Sequence, residues 1–116
     1  MADPSRGDIW LADLNPTRGH ESRLGGSQRP VLVISEDIFN KGLAGLVIVL
    51  PITSTYRGVP SHVQIKPPEG ETKNPSVILY KAVRSIAKER LVRRWGKVSA
   101  LTLAAVEDRL RILMGL

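Results

Sequence analysis

The sequence predicts a mainly β fold with some α structure, in which one long terminal helix covers a small barrel-like sheet. Three observations lead to it. The first two-thirds of the chain consists of short alternating or apolar segments separated by turn residues, which is typical of about five to seven short strands. The end of the chain carries the one convincing amphipathic helix. The length of 116 residues suits a single domain spanning 1–116.

The first strands stand out by their apolar patterns. Gly7–Asp13 alternates apolar and polar residues, as a half-buried strand does. Pro30–Ile34 and Gly45–Leu50 are short apolar runs, which suit strands buried on both faces. A long polar loop, Thr17–Gln28, separates the first two segments, and Pro51 indicates a bulge or the exit of the third strand.

Later segments predict the rest of the sheet. Pro67–Asn74 is a charged, proline-rich connection between two strands of a hairpin. The segments that we expect to be β are Ser61–Lys66, a long and bent strand Ser76–Ile86, and a short closing strand Gly96–Val98.

Three segments predict helical structure. Ser35–Gly42 is typical of a short helix, with Ser35 as N-cap and Gly42 as its left-handed stop. Lys88–Val92 suits one helical turn. Ser99 caps the helix Ala100–Met114, whose apolar face carries residues three or four apart. Those residues are Leu103, Val106, Leu110 and Leu113.

Charge and composition restrict the class of partner and the kinds of active site that we expect. Seventeen Lys and Arg against eleven Asp and Glu give a net charge of +6, which favours an anionic partner such as nucleic acid or an acidic protein. A merely soluble basic protein is the alternative. The absence of cysteine excludes disulfides, thiolate zinc sites and a cysteine nucleophile. The start lacks the pattern of a secretory signal, and the most apolar stretch, Leu43–Ile52, is half as long as a bilayer span, so we expect a cytoplasmic protein without membrane contact.

The segment around Arg29 carries the richest chemistry. Its glycines let backbone N–H groups approach a phosphate closely. Arg29 stands just before a buried strand, and a guanidinium matches phosphate oxygens in geometry. The alternative is an arginine at a strand end that pairs with Glu21 or Asp13.

The hydroxyls that follow the second buried strand are the other candidates. If the two apolar strands pair, their ends bring Arg29 and the hydroxyl of Thr53 to the rim of one sheet. Thr53, Ser54 and Thr55 offer consecutive hydroxyls and Arg57 a cation, which together suit a phosphate cradle. Serine and threonine also cluster in loops because they make local turns, and that alternative stays open.

The candidate residues around Arg29 and Thr53 suit the chemistry of a ribonuclease. The 2′-hydroxyl of RNA is the nucleophile, so the protein supplies a base, an acid and positive charge for the phosphorane. The two histidines, His20 and His62, have no ligand partner at helical spacing, and we expect no metal and no cofactor. Tyr56, Tyr80 and Trp95 are candidates for stacking on bases, or else structural aromatics.

Several segments in register resemble the MazF/PemK (Kid-like) family of type II toxins, which are sequence-specific mRNA endoribonucleases. The similarity covers about residues 6–113. The matching segments are Arg6–Trp10, Leu14–Thr17, Gly19–Glu21, Arg29–Ile34, Pro51–Ser54, Ser76–Leu79, Val83–Ile86 and Lys88–Leu91.

The resemblance implies an SH3-like barrel and a homodimer that binds single-stranded mRNA along the dimer groove. It implies metal-independent cleavage leaving a 2′,3′-cyclic phosphate, and neutralisation by a cognate antitoxin with an acidic, largely disordered tail. An acidic tail and RNA would compete for one basic groove.

The resemblance also implies roles for individual residues. Arg29 matches the catalytic arginine, Thr53 its partner hydroxyl on the scissile phosphate, and Glu21 an acidic position that serves as base or substrate contact. Arg84 matches a basic position near the substrate. The positions that we expect to contact RNA are His20, Gly26, Gln28, Ser54, Thr55, Arg57, Lys81 and Arg84.

Two features depart from the family. The first loop is longer by about three residues because Ser22–Gln28 separates Glu21 from Arg29. Lys81 and Ala82 stand where many relatives carry an acid followed by glutamine, and in the Kid-like branch that acid is a proposed general base. A lysine is a poor proton acceptor at neutral pH, so Glu21 or Arg29 takes the 2′-hydroxyl proton, or activity is reduced.

Two non-enzymatic hypotheses remain. One is a CcdB-like gyrase inhibitor, but that family uses a tryptophan-containing C-terminal end, and no tryptophan follows Trp95 here. The other is a weak or inactive toxin that only binds RNA or antitoxin, which Lys81 favours.

Overall fold

The computed structural model of the chain describes residues 3–14, 28–54 and 62–116. Within these ranges, seven strands form one sheet. The strands are β1 Asp8–Asp13, β2 Gln28–Val33, β3 Leu46–Thr53, β4 Val63–Ile65, β5 Ser76–Ile78, β6 Arg84–Ala87 and β7 Leu91–Lys97. The helices are α1 Asp37–Lys41 and α2 Ala100–Met114, with 3₁₀ turns at Glu69–Glu71, Tyr80–Ala82 and Lys88–Arg90.

The sheet follows the order β4-β5-β3-β2-β1-β7, with β6 also paired to β3. All of these pairs are antiparallel. The prediction of a mainly β chain with short helices and a C-terminal helix is confirmed. None of the helices in the described ranges is long and apolar enough to cross a membrane.

Strand β3 pairs with β2 on one side and with β6 and then β5 on the other, so it links these strands into one sheet. Leu46–Val49 pairs with β6, and Ile52–Thr53 pairs with β5. Pro51 lies at the change, and its carbonyl accepts a hydrogen bond of 2.9 Å from the N–H of Leu79. Of the two predictions for Pro51, a bulge or the exit of the strand, the exit is wrong because β3 continues to Thr53. Proline has no N–H to donate, and it stands at the point where the partner of β3 changes from β6 to β5.

Apolar side chains cover both faces of the sheet. Leu32 belongs to one buried cluster, with Ile9, Leu50 and Val106, whereas Val31 and its neighbours on the other face belong to a second. The second cluster comprises Trp10, Ala12, Val31, Val33, Val47, Val49, Ile86 and Leu91. Burial of β2 on both faces is thus confirmed, which explains its uninterrupted apolar sequence.

Helix α2 covers the first cluster. The hydroxyl of Ser99 accepts a hydrogen bond of 3.1 Å from the N–H of Thr102, which confirms the predicted N-cap. Val106 is fully buried, and Leu103 and Leu110 pack beside it. Leu113, predicted on the same face, is 45% exposed because the end of the helix extends past the cluster.

Two predictions about helix α1 are wrong. The N-cap is Glu36, and Ser35 instead donates its hydroxyl to the Asn40 side chain and accepts from the N–H of Ile48 at 3.0 Å. Ser35 therefore joins the helix to β3. Gly42 has φ −74°, so it is not the left-handed stop that we expected.

The predicted strand Ser76–Ile86 is divided by the 3₁₀ turn Tyr80–Ala82. Ile78 pairs with Ile52, and Arg84 pairs with Val49. Ile78 and Arg84 are thus six positions apart in the chain, whereas their partners Ile52 and Val49 are only three positions apart. The additional residues form the turn. The closing strand is also longer than the predicted Gly96–Val98, since β7 begins at Leu91.

Candidate active site

Arg29 and Thr53 lie on neighbouring strands at the same edge of the sheet. Val31 pairs with Pro51 and Leu32 with Leu50. The ladder ends at Val31 and Pro51, and Arg29 and Thr53 each stand two residues beyond it. The two apolar strands do pair, and Arg29 and Thr53 both line one groove at the rim of the sheet, as we expected if these strands paired.

An open groove of about 730 Å³ begins at this edge. The ends of β2 and β3 form one wall, the connection between β4 and β5 forms another, and β7 forms the third. The lining residues are Gln28, Arg29, Pro30, Ile52, Thr53, Ser54, Glu71, Thr72, Lys73, Asn74, Ser76, Arg93, Arg94 and Trp95.

The groove carries an excess of positive charge. Among its described lining residues, four are cationic, namely Arg29, Lys73, Arg93 and Arg94, and Glu71 is the single carboxylate. Cationic walls of a cleft raise the local concentration of anions. The groove is therefore suited to a polyanion, and its guanidinium groups to phosphate oxygens.

Arg29 is available to a ligand. It is exposed, and within the described residues it makes no ion pair, either with Asp13 or with any other carboxylate. The backbone, and not an ion pair, holds Arg29 in place, because Arg29 pairs with Ala12 on β1 and stands two residues before the buried Val31. A charged group on a fixed strand is well placed to meet a phosphate.

Arg94 is held in the groove by a buried carboxylate. Asp8 is 3% exposed, and its Oδ1 lies 3.3 Å from Nε of Arg94. Oδ2 of Asp8 accepts hydrogen bonds from the N–H of Ser5, at 2.8 Å, and from Nε1 of Trp10, at 3.3 Å. Because these donors fix the carboxylate, they also fix the arginine, whose side chain remains 49% exposed.

Trp95 supplies an aromatic wall beside these cations. It is half-buried and packs against the first apolar cluster. Its buried Nε1 has no hydrogen-bond partner within the described part of the chain. The exposed part of the indole gives the groove an apolar surface beside its cations.

The connection that carries Glu71 and Lys73 is fixed to the helix α2. The carboxylate of Glu69 accepts a hydrogen bond of 2.9 Å from the N–H of Ser99. Burial alone would raise the pKa of Glu69, but the hydrogen bonds from Thr102 and Ser99 outweigh it and lower the pKa below its ordinary value. Hydrogen bonds to the charged carboxylate of Glu69 therefore hold this wall of the groove against the start of α2.

Comparison with known proteins identifies the family. The model of the PemK-like, MazF-like toxins of type II toxin–antitoxin systems matches residues 5–114. The chain belongs to this family. The match covers the same stretch over which the sequence motifs resemble MazF and PemK, so that prediction is confirmed.

Solved MazF structures share the whole fold. MazF from Deinococcus radiodurans is 30% identical, with a TM-score of 0.81 and full coverage of both chains. A MazE–MazF complex from the same organism gives 30% identity and a TM-score of 0.84, covering 100% of this chain and 99% of that one. A mycobacterial endoribonuclease, solved with its cognate antitoxin, is 22% identical with a TM-score of 0.76, covers 100% and 97%, and shares the fold.

The groove of this MazF-like chain gathers some of the predicted site residues and not others. Gln28, Arg29, Thr53 and Ser54 line it. Lys81 lies in the turn after β5, with Nζ 5.8 Å from the centre of the Tyr80 ring, and Arg84 lies on β6 opposite Val49. These two lie outside the lining. The predicted residues His20, Glu21, Gly26, Thr55 and Arg57 fall outside the described ranges.

Sequence reasoning missed the opposite walls of the groove. The sequence places Glu71 and Lys73 only in the connection Pro67–Asn74. It places Arg93 and Arg94 between the helical turn Lys88–Val92 and the strand Gly96–Val98. One signal was present, since Arg93 and Arg94 directly precede Trp95, a candidate for stacking. Basic residues beside an aromatic are typical of nucleic-acid grooves.

Proposed function

We propose that this MazF-like chain is a sequence-specific, metal-independent endoribonuclease that cleaves single-stranded mRNA and leaves a 2′,3′-cyclic phosphate. One observation carries the proposal: Arg29 and Thr53, at the ends of the paired strands β2 and β3, line the same cationic groove. The endoribonuclease activity named for the mycobacterial structure supports it.

The chemistry needs little more than these groups. The 2′-oxygen attacks the adjacent phosphorus, and the phosphorane that forms carries more negative charge than the ground state. A fixed guanidinium stabilises this charge in the transition state. The hydroxyl of Thr53 can donate to a second phosphate oxygen, which orients the phosphate for in-line departure of the 5′-oxygen.

The decisive experiment is cleavage of a long single-stranded RNA by the purified protein in EDTA. We expect Arg29→Ala to lower the rate by about 10²–10³-fold or more, because one charge-stabilising donor is lost. The matched control is Lys41→Ala, which removes an exposed cation on the last turn of α1, outside the groove. The new 3′ ends should resist phosphatase until acid opens the cyclic phosphate. Undiminished cleavage by Arg29→Ala would overturn the proposal.

We also propose that a cognate antitoxin with an acidic tail neutralises the protein by occupying the same groove. The MazE–MazF complex supports an antitoxin partner, and the cations Lys73, Arg93 and Arg94 suit an acidic peptide as well as RNA. Polyglutamate should compete with an RNA oligonucleotide for the wild-type protein. Arg93→Ala with Arg94→Ala should weaken both ligands and reduce the salt dependence of RNA binding. Simultaneous binding of both ligands would contradict this proposal.

A homodimer is part of the same proposal. The end of α2 and the residues after it expose apolar side chains that a lone chain leaves in water, with Ile112 70% and Leu116 84% exposed. Several large apolar side chains exposed in one short segment favour an interaction site there. Light scattering should give the mass of a dimer for the wild type and of a monomer for the double variant Ile112→Glu, Leu116→Glu. A monomeric wild type would contradict the dimer.

A further inference from the structure

The proposed cleavage requires a group that receives the proton of the 2′-hydroxyl. Guanidinium and ammonium groups are donors without an acceptor site while they are charged. Four of the five charged residues that line the described part of the groove are of this kind. Glu71 is the only carboxylate among them.

The backbone holds Glu71 in an unusual conformation. Its φ is +59°, and no other residue except glycine has a positive φ within residues 3–14, 28–54 and 62–116. The N–H of Glu71 donates to the carbonyl of Pro68 at 2.7 Å, and both the N–H and the hydroxyl of Thr72 donate to the carbonyl of Glu69. Residues other than glycine persist in this region only where the surroundings enforce it, and such residues cluster at functional sites.

Two glycines allow the turn to approach the sheet. A Cβ at Gly70 would lie 2.2 Å from Cδ1 of Ile9. A Cβ at Gly96 would lie 2.9 Å from the backbone of Gly70 and 3.0 Å from Cγ of Glu71. Cγ of Glu71 therefore lies against the backbone of β7 at Gly96, the residue that follows Trp95, and both Glu71 and Trp95 line the groove.

We propose that Glu71 is the general base of the reaction, which makes it a catalytic residue beside Arg29 and Thr53. This inference rests on the proposed ribonuclease function. The 2′-oxygen forms a bond to phosphorus while its proton passes to the carboxylate of Glu71. The bond between phosphorus and the 5′-oxygen breaks, and the leaving oxygen takes a proton from solvent. Glu71 then returns its proton to solvent, so the net step is a transesterification.

The test compares Glu71→Gln and Glu71→Gly with the wild type on one RNA oligonucleotide in EDTA. Both variants should lower kcat by about 10²–10⁴-fold, the usual contribution of a positioned base. KM should change little. The rise of kcat with pH that a carboxylate base produces should be absent from both variants.

Glu71→Gly separates catalysis from folding. Glycine adopts a positive φ without strain, so this variant should be at least as stable as the wild type while it loses kcat. The matched control is Glu89→Gln, which removes an exposed carboxylate in the turn Lys88–Arg90 and should keep wild-type kcat.

Three outcomes would overturn the inference. Wild-type kcat and pH profile in both variants would show that the proton goes elsewhere. Unchanged kcat with cleavage at new sequences would assign Glu71 to base recognition. Loss of RNA binding with unchanged kcat would make it a binding residue. If Arg29→Ala is inactive in these cases, the proposed ribonuclease function survives. If the wild type itself cleaves no RNA, that function fails first.

Discussion

Asp8 holds Arg94 across two neighbouring strands, with 3.3 Å between Oδ1 of the carboxylate and Nε of the guanidinium. Trp10, which shares the carboxylate, is also the residue that pairs with Arg94 in the β1–β7 register. A carboxylate that is 3% exposed needs such partners because an unpaired buried charge is costly. The contact therefore joins the stability of the sheet to the position of one cation in the groove.

The variant Asp8→Asn should weaken both properties. It removes the ion pair and one charge-assisted acceptor, and we expect a loss of about 1–3 kcal/mol in the free energy of unfolding. RNA affinity should fall several-fold because Arg94 is no longer fixed. Denaturant titration and fluorescence anisotropy measure the two effects. The control Asp108→Asn breaks exposed pairs with Arg109 and Arg111 and should cost about 0–1 kcal/mol. Equal stability of the two variants would contradict the role of Asp8.

Thr53 offers a test of the hydroxyl alone. Thr53→Val keeps the branched shape of the side chain but removes its oxygen, and Thr53→Ser keeps the oxygen. We expect the valine variant to lose about 10²-fold or more in cleavage rate, as other lost transition-state donors do, and the serine variant to keep most of it. Single-turnover cleavage of one RNA oligonucleotide measures both rates. Similar rates in the two variants would show that the hydroxyl plays no part.

Gly70 should tolerate no side chain. Gly70→Ala places a residue with Cβ at φ +62° and sets that Cβ 2.2 Å from Ile9. The conformation costs about 1–2 kcal/mol, and overpacking adds about 1–3 kcal/mol. Gly45→Ala is the matched control, since Gly45 has φ +69° but nothing within 4 Å of an added Cβ, so it should lose only the first amount. Denaturant unfolding gives both values, and equal losses would argue against close packing of the turn.

The sequence predicted the part of the site that local patterns encode. The uninterrupted apolar runs around Val31 and Val49 indicated two strands buried on both faces, whose pairing the sequence left open. Antiparallel pairing then placed Arg29 and Thr53 at one edge without further information. Ser99 before an amphipathic segment likewise indicated where α2 begins.

The rest of the groove depends on contacts between distant segments. Glu71 and Lys73 reach it because the turn at Gly70 packs onto β1 and β7, and no local pattern encodes that approach. Arg93 and Arg94 interrupt the apolar alternation of β7, so the strand was predicted to begin too late. The turn Tyr80–Ala82 was missed because its residues are compatible with a strand, and only the pairing of β5 and β6 with β3 requires it.

Glu69 should make stability depend on pH. Hydrogen bonds from Thr102 and Ser99 lower its pKa in the folded chain despite burial, which acts in the other direction. The stabilisation is therefore complete above the pKa of the unfolded state and is lost as the pH falls through the lower pKa of the folded state. Glu69→Gln should be less stable than the wild type at neutral pH, and the difference should shrink on acidification. Urea titrations across this pH range measure it, with Glu89→Gln as control. A difference that stays constant with pH would show that the Glu69 charge does not anchor the turn.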